Sequence, residues 1–192
     1  MPDYLLFLLI LIAALSHAVC HSILKNNKNP LGILGVTSIF EIIIFTPLVL
    51  SVPFPTTYIW ILIILSAFLH GLYRLLVVYS YQYGDLSFIY PIARGSSSLL
   101  LALISVIYLS DKISLIGFIA ILIVCFGLFL ISYSDKLKFN YTAFGLGFLT
   151  AIMITTYTLV DGIGVRNSPN PYTFLYWMLL LNGTPALVVS FL

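Results

Sequence analysis

Glu41, Arg74 and Arg94 are embedded in long runs of Leu, Ile, Val and Phe. Arg74 lies ten residues before Gly84 and Arg94 ten residues after it, while Glu41 lies ten residues into the apolar run that opens at Leu31. At about 1.5 Å of rise per helical residue, each sits roughly 15 Å from a polar turn. That is about half of a hydrocarbon core roughly 30 Å thick. Charges at that depth are expensive and usually face a cavity or one another. A guanidinium there offers a bidentate anchor for a carboxylate or phosphate. Glu41 either pairs with an arginine as a bridge between helices or exchanges a proton.

Further polar groups follow helical spacing. Tyr90, Arg94 and Ser98 fall at i, i+4 and i+8 and form one stripe. His17 lies eight residues before Lys25, slightly shallower than Glu41, and His70 is one turn deeper than Arg74. His17 and His21, four apart, share a face and have the chemistry for metal ligation or proton relay. Two ligands without a carboxylate cluster do not complete a metal site, so neither a metal nor another cofactor is expected. Tyr157 lines the same region, among Thr150, Thr155, Thr156 and Thr158. Asp161, five residues from Arg166, reads as a carboxylate near a helix end. Pro91 frees a carbonyl one turn back, and the small residues Gly95 to Ser98 let a ligand or helix approach closely.

These side chains need membrane-spanning helices to position them. Hydrophobic residues make up 61% of the 192, charged ones only 7%, and mean hydropathy is +1.15. A soluble domain carries about a quarter charged residues. Seven apolar segments are long enough to span, at 4–24, 31–52, 58–81, 86–109, 113–133, 141–165 and 172–192. Short connectors with turn chemistry separate them: KNNKNP, PFPTT, QYGD, SDK, SDKLKFN and RNSPNP. Backbone facing lipid must satisfy its own hydrogen bonds, so the expected fold is an all-α polytopic bundle of about seven helices. Asn182-Gly183 and Pro185 interrupt the seventh in mid-span.

The net charge of +2 is small and scattered, which excludes nucleic acid as a partner. Cys20 and Cys125 lie in apolar segments and match neither a disulfide framework nor a zinc site. The start lacks Lys and Arg, so the first segment reads as a retained helix rather than a signal peptide. Lys25, Lys28, Lys136 and Lys138 on one side outnumber Lys112 and Arg166 on the other, which on charge alone favours an outside N-terminus. No phosphate-cradling glycine loop or nucleophile elbow is present, so no enzyme is expected.

An internal repeat emerges at a shift of 141 residues. It lays Lys25–Pro30 (KNNKNP) on Arg166–Pro171 (RNSPNP), Phe7 on Phe148, Leu8 on Leu149 and Val19 on Val160. A repeat of five helices, an odd number, inverts the second copy in the membrane, the arrangement of many secondary transporters. Only two helices of that copy are present, and the chain stops inside an apolar segment. It therefore reads as a fragment, or as a chain completed by a second one.

GDLSFIYPIARGSSSLLLAL, the LSDKISLIGFIAILIVCFGLFLI after it, and ALSHAVCHSILKNNKNP resemble the EamA-type members of the drug/metabolite transporter superfamily. The resemblance implies a ten-helix carrier of two inverted five-helix repeats, with 1–135 as the first and 141–192 as the start of the second. It also implies a cytoplasmic N-terminus, against the charge count, in a multi-pass protein of the cytoplasmic membrane. The expected function is secondary transport of a small polar metabolite, an organic anion or amino acid, by alternating access. Arg94 and Arg74 would hold the anion. Glu41 would be a pairing or proton-coupling group, and Tyr90, His70, His17, Ser98 and Tyr157 would line the site. The expected partners are the bilayer, the metabolite, protons, and a homodimer mate or partner chain. Two rival readings are a non-transporting interaction subunit or carrier remnant, and an intramembrane enzyme using His17, His21 and Glu41.

Overall fold

Prolines, asparagines and one glycine turn set where the apolar runs become separate helices. In a computed structural model, residues 3–108, 113–132 and 140–190 are described, and they contain no strand. The helices are α1 (Asp3–Asn26), α2 (Pro30–Val49), α3 (Thr57–Tyr83), α4 (Leu86–Tyr108), α5 (Leu115–Ser132), α6 (Tyr141–Asn167), α7 (Pro171–Asn182) and α8 (Thr184–Ser190). Lys112, Lys136 and Lys138 lie outside the described residues. Six spans are long and apolar enough to cross a membrane, α7 and α8 together counting as one; α5 is shorter.

The caps follow from side-chain chemistry. Asn29 accepts the Gly32 N–H at 2.9 Å, Asn140 those of Thr142 and Ala143, and Asn170 that of Tyr172. Each satisfies a donor that the first helical turn leaves orphaned. Pro30 and Pro171 occupy the first helical position, where a missing N–H costs nothing. The two Asn-Pro pairs brought together by the 141-residue shift thus both start a helix with an asparagine cap, accepting the N–H of the third helical residue in one and of the second in the other. α2 stops at Val49 rather than reaching residue 52, because Pro53 and Pro55 bias the preceding backbone away from the helix.

Contacts at the two ends fix an antiparallel order. Lys25 Nζ donates to the carbonyls of Tyr81 and Gly84, at 2.5 and 2.8 Å, and so closes the C-terminal end of α3. Asn140 Nδ2 donates to the Tyr83 carbonyl at 2.8 Å, which brings the start of α6 to the same end. Gly84 is required by space: a Cβ there would meet the Ala143 Cβ at 2.8 Å. At the opposite end Phe54, Trp60 and Trp177 stack with centroids 4.9–5.7 Å apart.

α6 packs along both α3 and α4, α5 packs on α4, and α7–α8 run across α2 and α3. α1 touches α2, α3 and α4 only lightly: 6% of its apolar window is buried, against 39% for α4 and α6. Small residues let the last span in close. A Cβ at Gly71 would meet Pro185 at 2.5 Å, and one at Gly183 would meet the Ser38 Cβ at 2.7 Å. Pro185 has no N–H to give the Leu181 carbonyl, and the Thr184 hydroxyl fills that place at 2.7 Å.

Candidate functional site

Between α1, α2, α3, α6 and the end of α7 lies a cavity of about 410 Å³. Of the residues singled out by spacing, Glu41, Arg74, His17, His70 and Tyr157 line it. The size is that of an ordinary small-molecule site.

Glu41 on α2 takes Arg74 on α3 rather than Arg94. The Arg74 Nη2 donates to Glu41 Oε1, with side chains 16% and 24% exposed. The pairing leaves valences open: Glu41 Oε2, Arg74 Nη1 and Asn182 Oδ1 are buried without a hydrogen-bond partner among the described residues. A Cβ at Gly183 would come within 2.8 Å of Glu41 Oε2, so the carboxylate lies against the break between α7 and α8. Asn182 also lines the cavity, and it stands 141 residues beyond Glu41. Buried polar atoms are normally satisfied, so three open ones close together set this crossing apart from the rest of the described interior.

Arg94 on α4 makes a second network. Its Nη2 donates to His17 Nε2 at 2.6 Å, and its Cζ lies 5.9 Å from the Tyr90 ring centroid. A guanidinium only donates, so His17 Nε2 is an acceptor. His21 Nε2, 3.0 Å from that atom, is then a donor. Its Nδ1 accepts from the Tyr81 hydroxyl at 2.6 Å. A directed chain thus runs from Tyr81 through His21 to His17, where it meets Arg94. Among the described residues, Arg94 has no carboxylate partner. It lines a narrow cleft of about 10 Å³ with Tyr90 and Tyr73, which shares its His21, Tyr73 and Val77 wall with the large cavity.

The third network joins α3 to α6. The Ser66 hydroxyl donates to Asp161 Oδ1, and His70 Nε2 lies 3.7 Å from Asp161 Oδ2. Tyr157 stacks on His70 with centroids 3.8 Å apart, and Tyr73 packs on Tyr157 at 5.4 Å. Asp161 is therefore no headgroup-facing helix end, as its nearness to Arg166 suggests. It points inward to α3. The pattern that could have shown this is the matched spacing of Ser66–His70 and Tyr157–Asp161, each pair one turn apart in helices that run antiparallel.

Ser98 is not brought to the cavity. It is exposed and its hydroxyl donates to the Arg94 carbonyl at 2.9 Å. Of the small residues before it, Gly95 and Ser96 line a separate, mostly apolar groove of about 390 Å³ between α4, α5 and α6, and Gly95 and Ser97 also meet neighbouring helices. The Cys125 thiol donates to the Gly95 carbonyl at 3.2 Å, and Thr155 Oγ1 to the Ser97 carbonyl at 3.3 Å. Among the described residues, no three His, Cys, Asp or Glu side chains converge as metal ligands would.

A family model described as the EamA-like transporter family matches residues 1–133, which carry α1 to α5 and therefore Glu41, Arg74, Arg94 and all three histidines. No curated protein and no solved structure matches the chain.

Proposed function

We propose, since the chain belongs to the EamA-like transporter family, that this multi-pass membrane protein carries a small polar metabolite across the cytoplasmic membrane by alternating access. The metabolite bears an anionic group, as an amino acid or organic anion does. The observation that carries this reading is Arg94, a half-buried cation in mid-span with no carboxylate beside it among the described residues. An uncompensated charge at that depth is costly, and an arriving anion relieves the cost. Arg74 is already paired, so its share is the remaining Nη1 donor. Glu41 Oε2 and Asn182 Oδ1 are acceptors for whatever donor groups the metabolite carries.

The test uses the protein in phosphatidylcholine vesicles, with exchange of a radiolabelled amino-acid hydrolysate across the membrane. Arg94→Gln should lower exchange by about ten- to hundredfold, the loss of a hydrogen bond to a charged group. Arg94→Lys should fall between, because an ammonium keeps the charge and loses the fork. Undiminished exchange in Arg94→Gln would remove the anchor role.

A second reading is favoured by the sparse packing of α1: a subunit completed by another copy or a partner chain. Its native mass in detergent separates the two, a monomer speaking against it.

A further inference from the structure

His70 Nδ1 lies 3.0 Å from the Ser66 carbonyl oxygen, which can only accept. Nδ1 must therefore carry a hydrogen. The Ser66 hydroxyl, 3.3 Å from the same nitrogen, has its own hydrogen engaged with Asp161 Oδ1. In a neutral imidazole so fixed, Nε2 presents a lone pair, and it faces Asp161 Oδ2 at 3.7 Å. If the carboxylate were also ionised, two acceptors would oppose each other with no hydrogen between them, in an interior where such repulsion is poorly screened. One added proton removes the conflict. On Nε2 it makes an imidazolium–carboxylate pair; on Oδ2 it makes a neutral carboxylic acid facing the Nε2 lone pair.

We propose that His70 and Asp161 hold one exchangeable proton between Nε2 and Oδ2, and that this proton is the coupling ion of the carrier. The coupling clause rests on the transport reading above; the proton site does not. Glu41 is the weaker choice, because Arg74 already compensates its charge. The pair also has a route to the substrate region. His70 lines the large cavity, and its ring stacks on Tyr157, which lines it too.

The ionisable groups facing the pair are limited. α3 supplies Arg74, one turn from His70, and Tyr73; α6 supplies Tyr157; α2 supplies Glu41, held by Arg74. Across the cavity α1 brings His17, itself bonded to Arg94 of α4, together with His21 and Cys20. α7 contributes neutral Asn182, its tyrosines stacking on each other and on Phe45, and α8 has no titratable side chain. With the proton bound, the added charge faces Arg74 and Arg94. Substrate anion and proton are then expected to favour each other's binding, by Coulomb attraction across the cavity.

Two measurements separate the claims. In the first, nitrogen-15 histidine NMR is recorded on the protein in phosphatidylcholine vesicles across a pH series. The resonance missing from His70→Gln should show Nδ1 protonated throughout and Nε2 changing with pH, with that change displaced by Asp161→Asn. An Nδ1 without its hydrogen, or a His70 response that ignores Asp161→Asn, would overturn the proton site.

The second follows radiolabelled amino-acid hydrolysate while potassium and valinomycin clamp the membrane potential. A gradient of about one pH unit should drive about tenfold accumulation for one coupled proton. Asp161→Asn should lose that accumulation and keep passive exchange. Accumulation unchanged in Asp161→Asn would overturn the coupling. If neither protein moves any labelled compound, the transport reading fails for this probe and the coupling with it. The proton site still stands or falls on the NMR result.

Discussion

Glu41 and Arg74 form a pair whose halves should not be separable. Each neutralises a charge the other would otherwise leave stranded in mid-span. Arg74→Gln should destabilise the protein by about 3 kcal/mol, the usual size for removing one partner of a buried pair. The double variant Glu41→Gln/Arg74→Gln should recover most of that, because neither stranded charge remains; thermal unfolding in detergent would check both. A double variant no more stable than the single one would contradict the pairing. Much of this layer was legible beforehand. The rise of a helix is fixed, so counting residues from the polar turns places Glu41, Arg74 and Arg94 at one depth. Counting does not give the direction in which each side chain points, so the choice of Arg74 over Arg94 as Glu41's partner had to come from packing. Ser98 shows the same limit. Eight residues make more than two turns, leaving Ser98 about 80° around the helix from Tyr90. It faces away from the cavity although Arg94, midway between them, borders the adjoining cleft.

At the scale of the element, helix ends were easy to read and helix interiors were not. Turn residues and caps mark the boundaries chemically, as the two Asn-Pro starts show. Its place near a helix end leaves the direction of Asp161 open, because distance from that end says little about what a neighbouring helix offers. Ser66 and His70 on α3 supply the partners that turn it inward. The same dependence on neighbours separates two glycines of α6. A Cβ at Gly164 would come within 2.1 Å of the Phe174 ring, which is fully buried, whereas one at Gly162 meets nothing within 4 Å. Gly164→Ala should therefore destabilise by about 1–3 kcal/mol through overpacking. Gly162→Ala should be neutral or stabilising by up to about 1 kcal/mol, from helix propensity. Melting curves in detergent would rank the two, and equal effects would mean that α6 and α7 do not meet as described.

At the scale of the molecule, three polar networks join α3 to α2, to α1 and α4, and to α6 around one cavity, and α7–α8 cross α2 where the chain breaks at Asn182 and Gly183. The 141-residue shift sets Asn182 on Glu41, so the two orphaned acceptors at that crossing occupy matching positions in the proposed repeat. Hydropathy alone announced a bundle, yet it could not announce the cavity, whose walls come from helices far apart in sequence. On the transport reading, substrate passes through this space. Thr37 lines it and spends its hydroxyl on its own helix, at the Leu34 carbonyl, so a cysteine there should be tolerated. With Cys20 changed to Ser and Cys125 buried against Gly95, Thr37→Cys leaves one reachable thiol among the described residues. The most direct measurement is its reaction with a small water-soluble thiosulfonate in vesicles, with and without the amino-acid hydrolysate. Hydrolysate should slow the reaction, and the modified protein should no longer exchange label. Modification at the same rate in both conditions, with exchange intact afterwards, would contradict the transport reading.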